Sequence, residues 1–372
     1  MVNYRNARKE EYYEFVDLIN YVFKVDFEKV LPKTFNINYD FQDITKVAED
    51  EKGKLIAGVC VLPQQVTVGE YSLKTNFLGG VAVHPRHRGE NHMKTLINMW
   101  LGDMKDDCDM SVLTGQRQRY EYFGYTPGGI QWEYAVNSHN IRHALKDIGA
   151  EGIAIKPLAE SEGGFEFIAD FNDRRAVNVY RNADDVDKIM YCYRQHPFCV
   201  YEKGALIGYF VTSLNREEIS EFALRDYKDT PKVLKAYFEY FKTEKATVVL
   251  PEYEKELHKE LIGFAEDYKS GPNCNANIFN FANVIRAYLG LKNETHKLSY
   301  GKLSAVFDNQ PVTITVDDNG VTVENKAEDD AVVLDKLKAQ ELLLTHKGRY
   351  MDMDVPNDWF PLPLFWYRVD QY

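Results

Sequence analysis

A basic cluster stands where a strand gives way to a helix: Val81-Ala82-Val83-His84-Pro85-Arg86-His87-Arg88-Gly89-Glu90-Asn91-His92-Met93. A turn of this kind aims successive backbone N–H groups at one spot and adds the positive end of a helix dipole, while Arg86, His87 and Arg88 contribute charge beside it. That chemistry suits a pyrophosphate. The same spacing also suits an ordinary basic strand-to-helix loop, since short phosphate-loop patterns recur by chance. His84, His87 and His92 are metal-ligand types, but their spacing spans a turn with Glu90 as the nearby carboxylate, and no metal site is expected. Downstream, Gly115-Gln116-Arg117-Gln118-Arg119-Tyr120-Glu121-Tyr122-Phe123-Gly124-Tyr125 offers two phenols, Tyr120 and Tyr122, that are protonated at neutral pH. The chain closes on the aromatic residues Trp359, Phe360, Phe365, Trp366, Tyr367 and Tyr372, a cluster too apolar to be left in solvent. No motif assembles a Ser-His-Asp or Cys-His nucleophile.

The elements that position these residues follow from periodicity. Phe15, Leu18, Ile19, Val22 and Phe23 form one apolar stripe within Ala7 to Phe27 and predict an amphipathic helix. Lys54 to Leu62, Gln65 to Val68 and Tyr71 to Val83 read as a meander of antiparallel strands, punctuated by Pro63 and by Val68-Gly69-Glu70. Met93, Leu96, Ile97, Trp100, Leu101 and Met104 repeat at helical spacing between Asn91 and Lys105, and Ser111 to Thr114 reads as a buried strand. A second α/β unit begins after the Gly128-Gly129 turn and the strand Gln131 to Val136, with two strands around a Gly204 turn over Val200 to Thr212 and a helix over Thr230 to Phe241. From about Asn273 a helix near Phe281 to Leu289 precedes short strands at Lys302 to Phe307, Val312 to Val316 and Val321 to Glu324.

With 372 residues, two or three domains are expected. The reading is an α/β (α+β) chain with domains at 1–145, 146–272 and 273–372. The balance of 45 basic against 57 acidic residues gives a net charge of -12, which repels phosphate backbones and excludes nucleic acid as an expected partner. The acidic runs Asp103 to Asp109 and Glu324 to Asp330 read as solvated surface. No apolar run approaches the length of a membrane span. Five cysteines without a CxxC pair predict free thiols, and a charged N-terminus carries no export signal, so the cytoplasm is the expected compartment.

The two segments 81–93 and 115–125 together resemble the GNAT acyltransferase superfamily, whose loop follows a V-x-V strand with Q/R-x-x-G-x-G/A and is trailed by Y-x-x-F-G-Y or a relative. Arg88 matches the first loop position, Asn91 the glycine and Met93 the small residue, while Tyr120 matches the tyrosine that serves as general acid. Length and the aromatic ending Phe365-Trp366-Tyr367-Arg368-Val369-Asp370-Gln371-Tyr372 are similar to the enhanced-intracellular-survival (Eis) branch. The resemblance implies tandem GNAT-like mixed-sheet domains followed by a sterol-carrier-like α+β domain, and a homo-oligomer such as a hexamer.

The resemblance further implies acetyl-CoA as cosubstrate and an amine acceptor, either a small molecule or a lysine. The pantetheine would pair with the backbone of Val81, Ala82 and Val83, and Gly89, Glu90, Asn91, His92, Met93 and Lys94, beside Arg88, would hold the pyrophosphate. Gly115 and Gln116 would flank the coenzyme, Tyr120 would be the general acid, and the Tyr372 terminal carboxylate the general base. Three positions depart from the pattern. Asn91 replaces a glycine but tolerates left-handed backbone, Glu90 puts a carboxylate in an anion loop, and Met93 adds bulk. They leave open an alternative: a non-catalytic ligand- or peptide-binding protein with a degenerate coenzyme loop.

Overall fold

The computed structural model describes residues 1–35 and 40–372. The chain divides into two compact units. The first comprises Met1–Gly128, Cys274–Leu362 and Gln371–Tyr372, and the second Gly129–Asn273 and Pro363–Asp370. The fold class is α/β with mixed sheets, as the sequence predicts.

In the first unit the chain runs β1 (Asn3–Asn6), α1 (Tyr12–Phe23), β2 (Thr45–Glu49), β3 (Leu55–Val68), β4 (Tyr71–Val83), α2 (His92–Met104), β5 (Met110–Leu113) and β6 (Thr126–Gly128). Helix α1 carries the whole stripe but does not fill the segment from Ala7 to Phe27, because Lys24 turns left-handed at φ 58° and ends it. Strand β3 runs unbroken through Pro63; its ladder with β2 covers only Leu55–Cys60, so the proline lies outside it. Helix α2 buries Leu96, Ile97, Trp100 and Met104 in one core with Val59, Val61 and Leu78, and the Trp100 indole N–H donates to the Val59 carbonyl at 3.0 Å.

The second unit contains β7 (Gln131–Asn137), β8 (Ile153–Pro157), α3 (Gly164–Asp173), β9 (His196–Glu202), β10 (Ala205–Thr212), β11 (Glu218–Leu224), α4 (Thr230–Phe241), β12 (Lys245–Pro251), α5 (Lys255–Ile262) and β13 (Asp267–Gly271). Its sheet order is β13-β7-β12-β11-β10-β9-β8. Strand β7, which the 1–145 boundary assigned to the first domain, pairs with β12 and β13 and so lies in this sheet. Glu221, midway along β11, is buried without contact to water. It accepts bonds from Arg175 Nη1 at 2.6 Å, from both Nη atoms of Arg181 at 2.9 and 3.0 Å, and from the Tyr209 hydroxyl at 2.5 Å. Arg181 also donates twice to Asp370, through Nε at 2.9 Å and Nη2 at 2.7 Å, so two guanidinium groups balance two carboxylates in a dry interior.

The remaining elements return to the first unit: β14 (Cys274–Ile278), α6 (Phe281–His296), β15 (Gly301–Phe307), β16 (Gln310–Asp317), β17 (Gly320–Glu324), β18 (Val332–Leu334) and α7 (Lys336–Leu344). Strand β14, which the sequence reading gave to a third domain, inserts between β5 and β6, giving the order β1-β2-β3-β4-β5-β14-β6. The other four strands form a separate sheet, β17-β16-β15-β18, behind α6. The acidic run 103–109 is not all solvated surface: Asp109 is buried, and its carboxylate accepts from the Lys74 N–H at 2.9 Å and from Asn283 Nδ2 at 2.8 Å. No disulfide joins any of the five cysteines. No described helix is long and apolar enough to cross a membrane.

Candidate active site

Strands β4 and β5 are parallel, but they pair only from Thr75–Met110 to Phe77–Val112 and then diverge. A bulge causes the parting. Gly58 faces Ala82 while Cys60 faces Gly79, so Gly80 and Val81 on β4 together oppose Val59 on β3, with Gly80 at φ 57°. Beyond it, Val81–Val83 has no β5 partner, which leaves peptide groups on that edge free to pair with an extended ligand.

The gap opens into a cleft of about 620 Å3. Val81, Val83, His87, Arg88, Gly89, Asn91, His92, Met93 and Lys94 line it, together with four residues the sequence reading did not assign to the site: Val22, Phe23, Arg119 and Phe123. Phe23 ends the stripe of α1 yet is 45% exposed, and Arg119 precedes Tyr120 on the single helical turn Arg117–Tyr120, so both signals were local. Ala82 is buried, and Glu90, Gly115, Gln116, Tyr120 and Tyr372 do not line the cleft.

Asn91 holds φ 65° as the residue before α2, a conformation asparagine accepts at small cost. Gly89 at φ 88° supplies a second left-handed step, and a Cβ there would meet nothing within 4 Å, so the loop face is open. Glu90 is turned to two imidazoles: His92 Nε2 lies 3.0 Å and His87 Nδ1 3.4 Å from its Oε2, and these contacts hold its carboxyl below the usual range. The Tyr4 hydroxyl fixes the other side of the His92 ring at 2.8 Å from Nδ1. The trio His87, Glu90 and His92, three of the four residues weighed as a metal set from the sequence, has ligand atoms within 4.8 Å of one another. His84 instead stacks on Tyr21 at 5.4 Å. Arg88, Lys94 and Arg119 give the cleft a cationic rim, with Lys94 4.8 Å over the exposed Tyr122 ring.

Tyr120 is buried beside the end of β5. Its ring fills the space over Gly115, where a Cβ would come within 2.4 Å of it. Burial pushes its phenol up from the ordinary value, with Arg119 opposing in part. Gln116, exposed, precedes the helical turn that carries Tyr120. On the β4 side the Tyr372 ring lies over Gly79 and Gly80, 6.0 Å from the Phe35 ring, with its hydroxyl toward Cys60.

Residues 3–128 match the family model described as an acetyltransferase (GNAT) domain. No curated protein sequence matches the chain. Among solved structures, a probable N-acyltransferase of unknown function from Enterococcus faecalis is similar over 96% of this chain and 95% of its own, with 18% identity and a TM-score of 0.69. A GCN5-related N-acetyltransferase from Anabaena variabilis aligns over 100% of both chains at 14% identity and a TM-score of 0.69. Eis1 from Mycobacterium abscessus aligns over 96% of this chain and 95% of its own, with 13% identity and a TM-score of 0.63. At such identities the likeness is one of fold.

Proposed function

We propose that the first unit is an acetyl-CoA-dependent N-acetyltransferase acting on a primary amine, a small molecule or a lysine, by direct attack in a ternary complex. The observation that carries this reading is the parting of β4 from β5 into a cationic cleft whose wall is the loop before α2. The free edge of Val81, Ala82 and Val83 suits the pantetheine amides. The N–H groups of Gly89 to Lys94, with Arg88, suit the diphosphate, and Gly115 and Gln116, at the end of β5, would flank the coenzyme. The match of residues 3–128 to an acetyltransferase domain supports the same chemistry.

In this mechanism the neutral amine attacks the thioester carbonyl carbon, forming the C–N bond, and the C–S bond breaks. Tyr120 hands its proton to the departing thiolate, whose basicity makes unassisted departure costly, and the phenolate so formed takes back the proton that the acylated nitrogen loses. The Tyr372 α-carboxylate takes the proton released by the substrate ammonium, directly or through water. Neither step requires a metal ion.

Titration calorimetry with acetyl-CoA tests the reading: micromolar binding with turnover of a polyamine or lysine peptide supports it, and no heat at millimolar coenzyme overturns it in favour of a non-catalytic binding protein. We read the sheet of β15–β18 with α6 and α7 as the sterol-carrier-like layer, the homo-oligomer as the working assembly, and the five cysteines outside any disulfide as suited to the cytoplasm.

A further inference from the structure

The second unit repeats the geometry that makes the coenzyme cleft. Strands β11 and β12 are parallel and pair only at Glu218–Thr247 and Ile219–Val248 before parting. A loop then leads from β11 into α4, as the 84–91 loop leads from β4 into α2, and α3 flanks the opening as α1 does. At this place lies a cleft of about 530 Å3, walled by Phe167 and Phe171 of α3, by Arg225 and Tyr227 of the loop, and by Tyr253 beyond β12.

Arg175 also lines this cleft. Its side chain is 3% exposed and gives only Nη1 to Glu221; Nε and Nη2 have no acceptor among the described residues. Those two atoms form one edge of the guanidinium, the fork that takes both oxygens of a carboxylate. Leaving two buried donors unmet is costly, whereas a ligand oxyanion satisfies both at once. The guanidinium is held in place by the Tyr367 ring at 4.3 Å and the Phe171 ring at 5.4 Å. Arg225, exposed and 5.1 Å over the Phe167 ring, adds a second cation at the mouth.

A second coenzyme does not fit. Asp226 Oδ1 already accepts the Lys228 N–H at 3.0 Å, and Pro231 removes a donor from the first turn of α4, so the backbone amides that would hold a diphosphate are taken or missing. Asp170 and Glu254 on the walls disfavour a dianion. Aromatic walls favour a flat apolar body.

We propose that this cleft binds a small aromatic monocarboxylate, its carboxylate on the Arg175 fork and its ring between the aromatic walls. The site is independent of acetyl transfer and extends the function proposed above. Calorimetric titration of the full chain with benzoate tests it, with inorganic phosphate as the second arm. Benzoate binds the native protein, Arg225→Gln weakens it about tenfold or more, and Arg175→Lys, which keeps the charge but loses the fork, weakens it further. Arg88→Glu, in the coenzyme cleft, leaves it unchanged. If Arg175→Lys fails to fold, the exposed Arg225 carries the test. The proposal is overturned if the native protein does not bind benzoate, if phosphate binds more tightly than benzoate, or if Arg88→Glu abolishes binding that Arg225→Gln retains.

Discussion

The Tyr372 ring occupies the volume that any side chain at Gly79 would need: a Cβ at Gly79 would stand 1.7 Å from Tyr372 Cδ1. The last residue of the chain is thereby seated on the β4 bulge, next to the free edge of Val81–Val83. Gly79→Ala forces the ring out or the strand aside. The expected cost is about 1 to 3 kcal/mol in denaturant unfolding, with a fall in turnover. A variant with unchanged stability would show that the ring is not held there.

The terminal carboxylate itself is tested by a Gly-Ser extension after Tyr372, which keeps the ring and moves the charge. Turnover should fall while acetyl-CoA affinity stays the same, since the loop before α2 is untouched. Full activity in the extended chain would exclude this carboxylate as the base.

Arg88→Glu replaces a cation on the cleft rim with a like charge for the diphosphate. Coenzyme affinity should drop about ten- to a hundredfold, the value of a charge-assisted contact, with no change in thermal unfolding because Arg88 is exposed. Equal affinity in calorimetry would remove the loop from the site.

Tyr120→Phe should lower kcat about a hundredfold or more with little effect on coenzyme binding. Because burial raises the phenol, the alkaline limb of kcat that reports loss of this acid lies above the ordinary tyrosine value of 10.0. Tyr122→Phe, on an exposed ring, serves as the control; if it is the damaging change, the acid is misassigned.

Burial alone would raise the Glu221 carboxyl, but Arg181 and Arg175 overcome it and bring the group down to about 2 from an unfolded value of 4.5. A depressed carboxylate contributes stability that is present above the unfolded value and lost as pH falls toward the folded one. The second unit should therefore weaken between pH 4.5 and about 2, and Glu221→Gln should flatten that slope. Arg181→Met, which removes the bidentate cation shared by the buried Glu221 and Asp370 carboxylates, should cost about 3 to 5 kcal/mol at neutral pH. A slope unchanged in Glu221→Gln would assign the acid transition to other groups.

The sequence by itself determined what depends on neighbours along the chain. The stripe of α2, the strand before it, the loop between them and the left-handed conformation of Asn91 all follow from periodicity and local backbone sterics, and they carry most of the cleft beside β4. Only the tertiary structure decided the partners of residues far apart in sequence. Nothing near Gly79-Gly80 announces that Tyr372 needs their missing side chains, because the steric demand appears only once the fold brings residue 372 onto β4. Strand β14 reads like the start of a third unit, since its pairing with β5 and β6 is a non-local ladder with no period of its own. Glu90 looked hostile to an anion until the fold turned it toward His87 and His92. Nothing local marks Arg175, Arg181, Glu221 and Asp370 for the same reason: burial and pairing are properties of the packed interior, and a carboxylate shows its partners only when the chain has brought them within hydrogen-bonding distance.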